Sequence, residues 1–301
     1  MAVVGTFLLA ACASASTTVP SPTPTSTATP DISAPGGLRL ILATTVLRPG
    51  SQRVAFLLTG PKALITVPEV SVTTFFDGDP SAANDPVETN MASFNLWPYA
   101  TRGSYTTELT FDRPGTWRLS VEMTDKTGAV STANHSLEVN DGYGVVDVGS
   151  QAPHSRSKTV KDVSGLTELS SDHPPDPDLY AITIADALAT TQPTMVVFST
   201  PAFCISPTCG PQVETMQGVK NKFKGDANFI HVEFYDNPDE VQGDLDRAVI
   251  SLMVDEWGIT NIPHWTNESW TFVIDRDGTV TARFEGFAAA SELEATLQEV
   301  L

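Results

Sequence analysis

The chain has 301 residues, with 36 acidic side chains against 17 basic ones and a formal net charge of -19. A surface of that sign is repelled by phosphate backbones and anionic headgroups, which excludes nucleic acid as the expected partner. The length suits two ordinary domains plus tails, and no apolar run approaches the roughly 20 residues that cross a bilayer.

Residues 1–12 end in a short apolar stretch, Val3 to Leu9, followed by Ala10-Ala11-Cys12. Small residues before a cysteine after an apolar run have the form of a secretion signal. Leu9-Ala10-Ala11-Cys12 resembles a bacterial lipobox, although no charged residue precedes it. The resemblance implies a signal peptide over 1–12, lipidation at Cys12 and anchoring on the outer face of a bacterial membrane. With Cys12 so used, the three cysteines of the chain leave one pair, Cys204 and Cys209.

Residues 13–35 are Ser, Thr, Pro and Ala with little to bury, a composition that stays extended and reads as a tether. Over 36–140, short apolar runs alternate with turn clusters. Val54, Phe56 and Leu58 alternate, as do Trp117, Leu119, Val121 and Met123, while Arg48-Pro49-Gly50, Asp77-Gly78-Asp79-Pro80, Arg113-Pro114-Gly115 and Lys126-Thr127-Gly128 punctuate them. Strands of this kind predict an all-β antiparallel sandwich. Arg113-Pro114-Gly115-Thr116-Trp117 and the alternation after it resemble a late strand of bacterial immunoglobulin-like domains, which implies an immunoglobulin-like sandwich without naming its ligand. His135, Met91 and Met123 lack the spacing of a metal site.

A linker and lead-in segment spans 141–179, with His154 and His173 in polar loops. From 180 to 301 the pattern becomes α/β. Thr183 and Asp186 predict a cap for the helix from Ile184, Met195 to Phe198 reads as a strand, and Pro211 fits the first turn of a helix striped by Val213, Met216, Val219 and Phe223. Asn228 to Phe234 predicts a strand and Val241 to Trp257 a second helix. Trp270 to Ile274 and Val280 to Phe284 predict a hairpin across Asp275-Arg276-Asp277-Gly278, and Ser291 with Glu294 a capping box for the last helix.

Cys204 and Cys209 fall where the first of these strands meets its helix. Unpaired N–H groups and partial positive charge at a helix start favour the thiolate, the reactive form of cysteine. The order of elements, the cysteine loop, Trp257-Gly258-Ile259-Thr260-Asn261-Ile262-Pro263 and Phe272-Val273-Ile274-Asp275-Arg276-Asp277-Gly278 together resemble a thioredoxin-like domain. Membrane-anchored thiol–disulfide oxidoreductases and, more distantly, Sco copper chaperones are the families concerned. The resemblance covers 148–301.

It implies Cys209 as the attacking thiol and Cys204 as the resolving one, acting on exported proteins that carry thiols or disulfides and needing no cofactor. It also implies a substrate-facing segment at Pro263 or at Ser269 and Trp270. Four residues separate the cysteines where two are usual. Gln212 stands where a resolving cysteine would stand, and Phe203 or Phe198 where a buried acid would stand. Two other readings stay open: a copper site of Cys204, Cys209 and His264, and a structural disulfide in an interaction module. Glu214 and Glu268, acids near the site, read as solvated surface in preference to proton carriers.

Overall fold

The computed structural model describes residue 1 and residues 37–98, 101–205, 208–263 and 268–301. Cys12, the tether over 13–35 and His264 lie outside the described residues. Seven strands come first: β1 (Arg39–Leu42), β2 (Gly50–Thr59), β3 (Glu69–Phe76), β4 (Pro86–Leu96), β5 (Gly103–Phe111), β6 (Gly115–Thr124) and β7 (Val130–Val139). They form an antiparallel sheet in the order β1-β2-β5-β4-β3-β6-β7. The sheet curls until its edges meet, with β1 against β7 and Leu47 bridged to Val139.

Alternation explains the inside of this curl. Side chains two apart share a face of a strand, and in β6 Trp117, Leu119 and Val121 are buried. They meet Val54, Phe56 and Leu58 of β2 in one apolar cluster. Phe111 packs edge-on to Trp117 and Phe56 stacks on Tyr105, whose hydroxyl donates to the carbonyl oxygen of Val67.

The C-terminal part consists of α1 (Ile184–Leu188), β8 (Thr194–Ser199), α2 (Cys209–Lys222), β9 (Asn228–Glu233), α3 (Pro238–Val241), α4 (Leu252–Glu256), β10 (Trp270–Ile274), β11 (Val280–Glu285) and α5 (Ala290–Gln298). Its four strands run in the order β11-β10-β8-β9, with β8 and β9 parallel and β10 antiparallel to both β8 and β11. A right-twisted strand, a crossover helix and a parallel strand, followed by an antiparallel hairpin, make the thioredoxin-like arrangement expected for this half. Apolar clusters cover both faces of the sheet, one around Trp257, Phe198 and Phe272 and one around Met216, Leu293 and Leu297. All residues of β8 and β10 are buried, as two-sided cover requires.

Two local expectations change. The helix expected over Val241 to Trp257 is broken into α3, a 3₁₀ turn at Leu245–Arg247 and α4. Gln242 and Gly243 take left-handed backbone, Asp244 and Ser251 accept from N–H groups two residues on, and Ile250 bridges to Tyr235 beside the end of β9. Short polar side chains that cap a new turn compete with helix continuation. The last helix starts two residues earlier than Ser291 and Glu294 suggest, because the Glu292 carboxylate accepts from Ala289 N–H. Thr183 does cap α1, accepting from Asp186 N–H.

The two sheets meet along a polar seam. Buried Glu285, at the end of β11, accepts from the N–H groups of Thr45 and Val46 and from the Thr45 hydroxyl. Arg283 donates to Val46 O, and Arg53 pairs with Glu292 while also reaching Phe287 O. Gly258 closes the same region. Its φ is +73°, and a Cβ there would stand 2.3 Å from Gly144 O.

Truncating Glu285→Ala is expected to destabilise the fold by about 3 kcal/mol, because two main-chain donors lose their acceptor in a dry seam. Glu285→Gln, which keeps an acceptor oxygen, is expected to cost less than half of that. Urea midpoints of the two variants at constant slope measure the difference.

Candidate functional site

The site forms where β8 ends. After Ser199 the chain turns, with Phe203 and Cys204 N–H groups donating to Thr200 O, and re-enters regular structure at Cys209, the first residue of α2. Cys204 and Cys209 are joined by a disulfide with their Cα atoms 6.1 Å apart. Cys209 is 1% exposed, whereas Cys204 is half-buried and its neighbour Ile205 is 70% exposed. Cys209 is therefore the covered member of the pair and Cys204 the more accessible one. The 14-residue helix α2 directs its N-terminal partial charge at Cys209.

A carboxylate completes the group. Glu268, just before β10, is 1% exposed, and one of its oxygens lies with both sulfurs inside a mutual separation of 4.8 Å. Its Oε2 accepts from Ile205 N–H at 2.8 Å and its Oε1 from the Tyr235 hydroxyl at 2.9 Å. Its own carbonyl oxygen stands 3.2 Å from the Cys209 sulfur. Burial raises the Glu268 carboxyl above its ordinary value, against the two hydrogen bonds, which lower it. Burial and the neighbouring acid together push the Tyr235 phenol up. The expectation that Glu268 is a solvated surface acid is thus overturned: the segment leading into β10 lies against the cysteine loop. Glu214, on α2, is half-buried.

The other side of the loop is held by a second buried acid. Glu233, the last residue of β9, accepts from the N–H and hydroxyl of Ser171 and from Phe234 N–H, while the Ser171 oxygen accepts from Ala202 N–H. Burial pushes the Glu233 carboxyl up to about 7. Behind the loop, Tyr180, His231 and Ser199 form a chain. His231 Nε2 stands 3.1 Å from Ser199 O, which can only accept, so Nε2 bears the proton and Nδ1 accepts from the Tyr180 hydroxyl. The Ser199 hydroxyl then donates to Cys209 O. Burial lowers His231 to about 4, so the ring is neutral and both nitrogens are engaged.

The remaining expected site residues are placed as follows. Ser269 and Trp270 are both fully buried, Ser269 pairing with Gly286 and Trp270 packing in the core beside Phe272. Trp270 therefore offers no face to a substrate. Pro263 is exposed after the 3₁₀ turn Ile259–Asn261, and the cis peptide among the described residues is His173–Pro174, not the bond before Pro263. Gln212 is buried and accepts from Ala288 N–H, a structural tie between α2 and the segment after β11. Glu233, Tyr235 and Ser171 escaped the sequence reading. A usable signal existed for Glu268, since placing Ser269 opposite the cysteines puts its neighbour there as well.

For a copper site, the described residues supply two sulfurs and a carboxylate, while His264 lies outside them. Thiolates suit a soft ion and a carboxylate a harder one, and the disulfide form offers no thiolate.

No protein-family profile matches the chain, and no curated protein does. Among solved structures, a thioredoxin-family thiol:disulfide interchange protein from Chlorobium tepidum TLS is similar over 50% of this chain and 99% of that one, with 14% identity and a TM-score of 0.31. The strand order and the parallel β8-α2-β9 crossover, rather than this similarity, define the thioredoxin-like half.

Glu233 sets a pH signature. A carboxyl raised in the fold contributes stability that is complete below its unfolded value and lost as pH rises through its folded value. The stability of the natural chain relative to Glu233→Gln is expected to fall by a few kcal/mol from pH 4.5 to about 7 and to level off above that. Denaturant titrations of both proteins across that window measure it; a constant difference would contradict the assignment.

Proposed function

We propose that the chain is an extracytoplasmic thiol–disulfide exchange protein, lipid-anchored through Cys12, that acts on exported proteins through Cys204 and Cys209. The observation that supports it best is the disulfide at the start of α2, with one sulfur on the rim, one in the interior and a buried carboxylate beside both. A staple needs no such asymmetry. In this reading the antiparallel β1–β7 half, whose strands pair in one continuous curled sheet and bury a shared apolar face, is an immunoglobulin-like domain between the tether over 13–35 and the thioredoxin-like domain.

In this reading the roles implied by the sequence resemblance are exchanged, which the burial of Cys209 supports. A partner thiolate attacks the Cys204 sulfur, the accessible one, forming a mixed disulfide as the Cys204–Cys209 bond breaks. Cys209 leaves as a thiolate stabilised by the α2 N-terminus. Glu268 in its protonated form passes that thiolate its proton. The partner's second thiolate then attacks the mixed disulfide and releases Cys204, so the partner is oxidised by two electrons and the Cys204/Cys209 pair reduced. The reverse sequence, with the Glu268 carboxylate drawing the proton from Cys209, reduces a partner disulfide. The exposed side chain of Ile205, next to the rim sulfur, supplies apolar contact for the partner's chain.

Mixing reduced Cys209→Ser protein with a chromophoric aryl disulfide is expected to trap a stable adduct on Cys204, and the mixed disulfide formed by Cys204→Ser is expected to appear at least tenfold more slowly. Mass spectrometry of the adducts and the equilibrium of the pair with glutathione read this. Equal rates, or a potential far below about -300 mV, would turn the pair into a structural staple.

A further inference from the structure

We propose that reduction turns the same cluster into a site for a borderline divalent cation of the Zn²⁺ class, held by the sulfurs of Cys204 and Cys209 and the carboxylate of Glu268, with a fourth position open to water. The proposal rests on the redox reading in one respect, that the disulfide be reducible.

The carboxylate already stands beside both sulfurs. Two thiolates at Zn–S of about 2.3 Å in a tetrahedral site stand about 3.8 Å apart, and a carboxylate oxygen binds at about 2.0–2.2 Å. A Glu268 oxygen and the two bonded sulfurs lie within 4.8 Å of one another, and reduction must part the sulfurs to admit an ion between them and the carboxylate. Cys204 lies outside α2, just after the turn over residues 201–203, so parting the sulfurs on reduction does not require α2 to unwind. The carboxylate is held for the task from behind. Ile205 N–H and the Tyr235 hydroxyl each take one lone pair of a different oxygen, so the orientation is set while a lone pair on each remains.

The donor set also selects the ion. Two thiolates with one carboxylate fit borderline Zn²⁺ or its probe Co²⁺, whereas a purely soft ion such as Cu(I) gains little from the third ligand. His231 cannot supply a further ligand, since both ring nitrogens are engaged. The disulfide form, lacking thiolates, is excluded from binding, so oxidation releases the ion and metal binding protects the thiols from oxidation.

The full chain would be reduced with a phosphine, freed of reductant without air and titrated with Co²⁺ and with Zn²⁺ against a chromophoric chelator. One Zn²⁺ per chain is expected, and the Co²⁺ complex should show thiolate-to-metal charge transfer in the near ultraviolet with the intense visible bands of tetrahedral coordination. The disulfide form and Cys204→Ser should lose the site, and Glu268→Gln should weaken it at least tenfold. Glu268→Asp, which keeps the carboxylate, should retain more affinity than Glu268→Gln, and thermal melts of the oxidised variants check that they fold.

Absence of a stoichiometric site in the reduced protein, or a Glu268→Gln affinity equal to that of the natural chain, overturns the proposal. Tight Cu(I) binding that ignores Glu268, without Zn²⁺ binding, overturns it in favour of the copper reading. The aryl-disulfide assay separates the two ideas. Exchange without Zn²⁺ binding removes the metal site alone, and Zn²⁺ binding without exchange removes the exchange function alone.

Discussion

Three segments far apart in the chain are tied together at one carboxylate. Glu268 accepts from the cysteine loop through Ile205 and from the end of the β9 edge through Tyr235, while its own backbone leads directly into the central strand β10. Burying a carboxylate is expensive unless its oxygens are hydrogen-bonded, so these contacts are conditions for the arrangement rather than additions to it. With them in place, the cysteine loop is pinned against the sheet, Cys209 is covered and Cys204 is left at the rim.

The same solution recurs elsewhere in this acidic protein. Glu233 and Glu285 are also buried, and each is met by several N–H or O–H donors rather than by a close lysine. Glu233 ties the 170s segment to the cysteine loop through Ser171, and Glu285 ties the first sheet to the second through Thr45 and Val46. Burial raises each carboxyl while these hydrogen bonds, which favour the charged form, pull it back down, so each acid is held in a balance of desolvation against donors.

Much of the framework was legible in residue patterns because it depends on local periodicity. The alternation of Trp117, Leu119 and Val121, the cap of Thr183 on α1 and the hairpin around Asp275 to Gly278 are short-range features, and the structure has them. The segment over Val241 to Trp257 was not legible as a broken one, because its apolar residues fit a helix while Asp244 and Ser251 compete through their own caps. Glu268 was misread because an isolated acid in a polar loop carries no sign of burial in its neighbours, and only the placement of Ser269 opposite the cysteines pointed to it.

The sequence by itself determined that two thiols stand at a strand-to-helix junction in an α/β half, preceded by an all-β half. Strand and helix periods and a cysteine's place beside a helix start are written in neighbouring residues. Tertiary structure alone decided which sulfur is reachable and which acid attends it. Those facts follow from contacts across 63 residues between Ile205 and Glu268 and 33 between Tyr235 and Glu268. The packing that covers Cys209 and leaves Cys204 at the rim exists only once β9 and β10 flank β8.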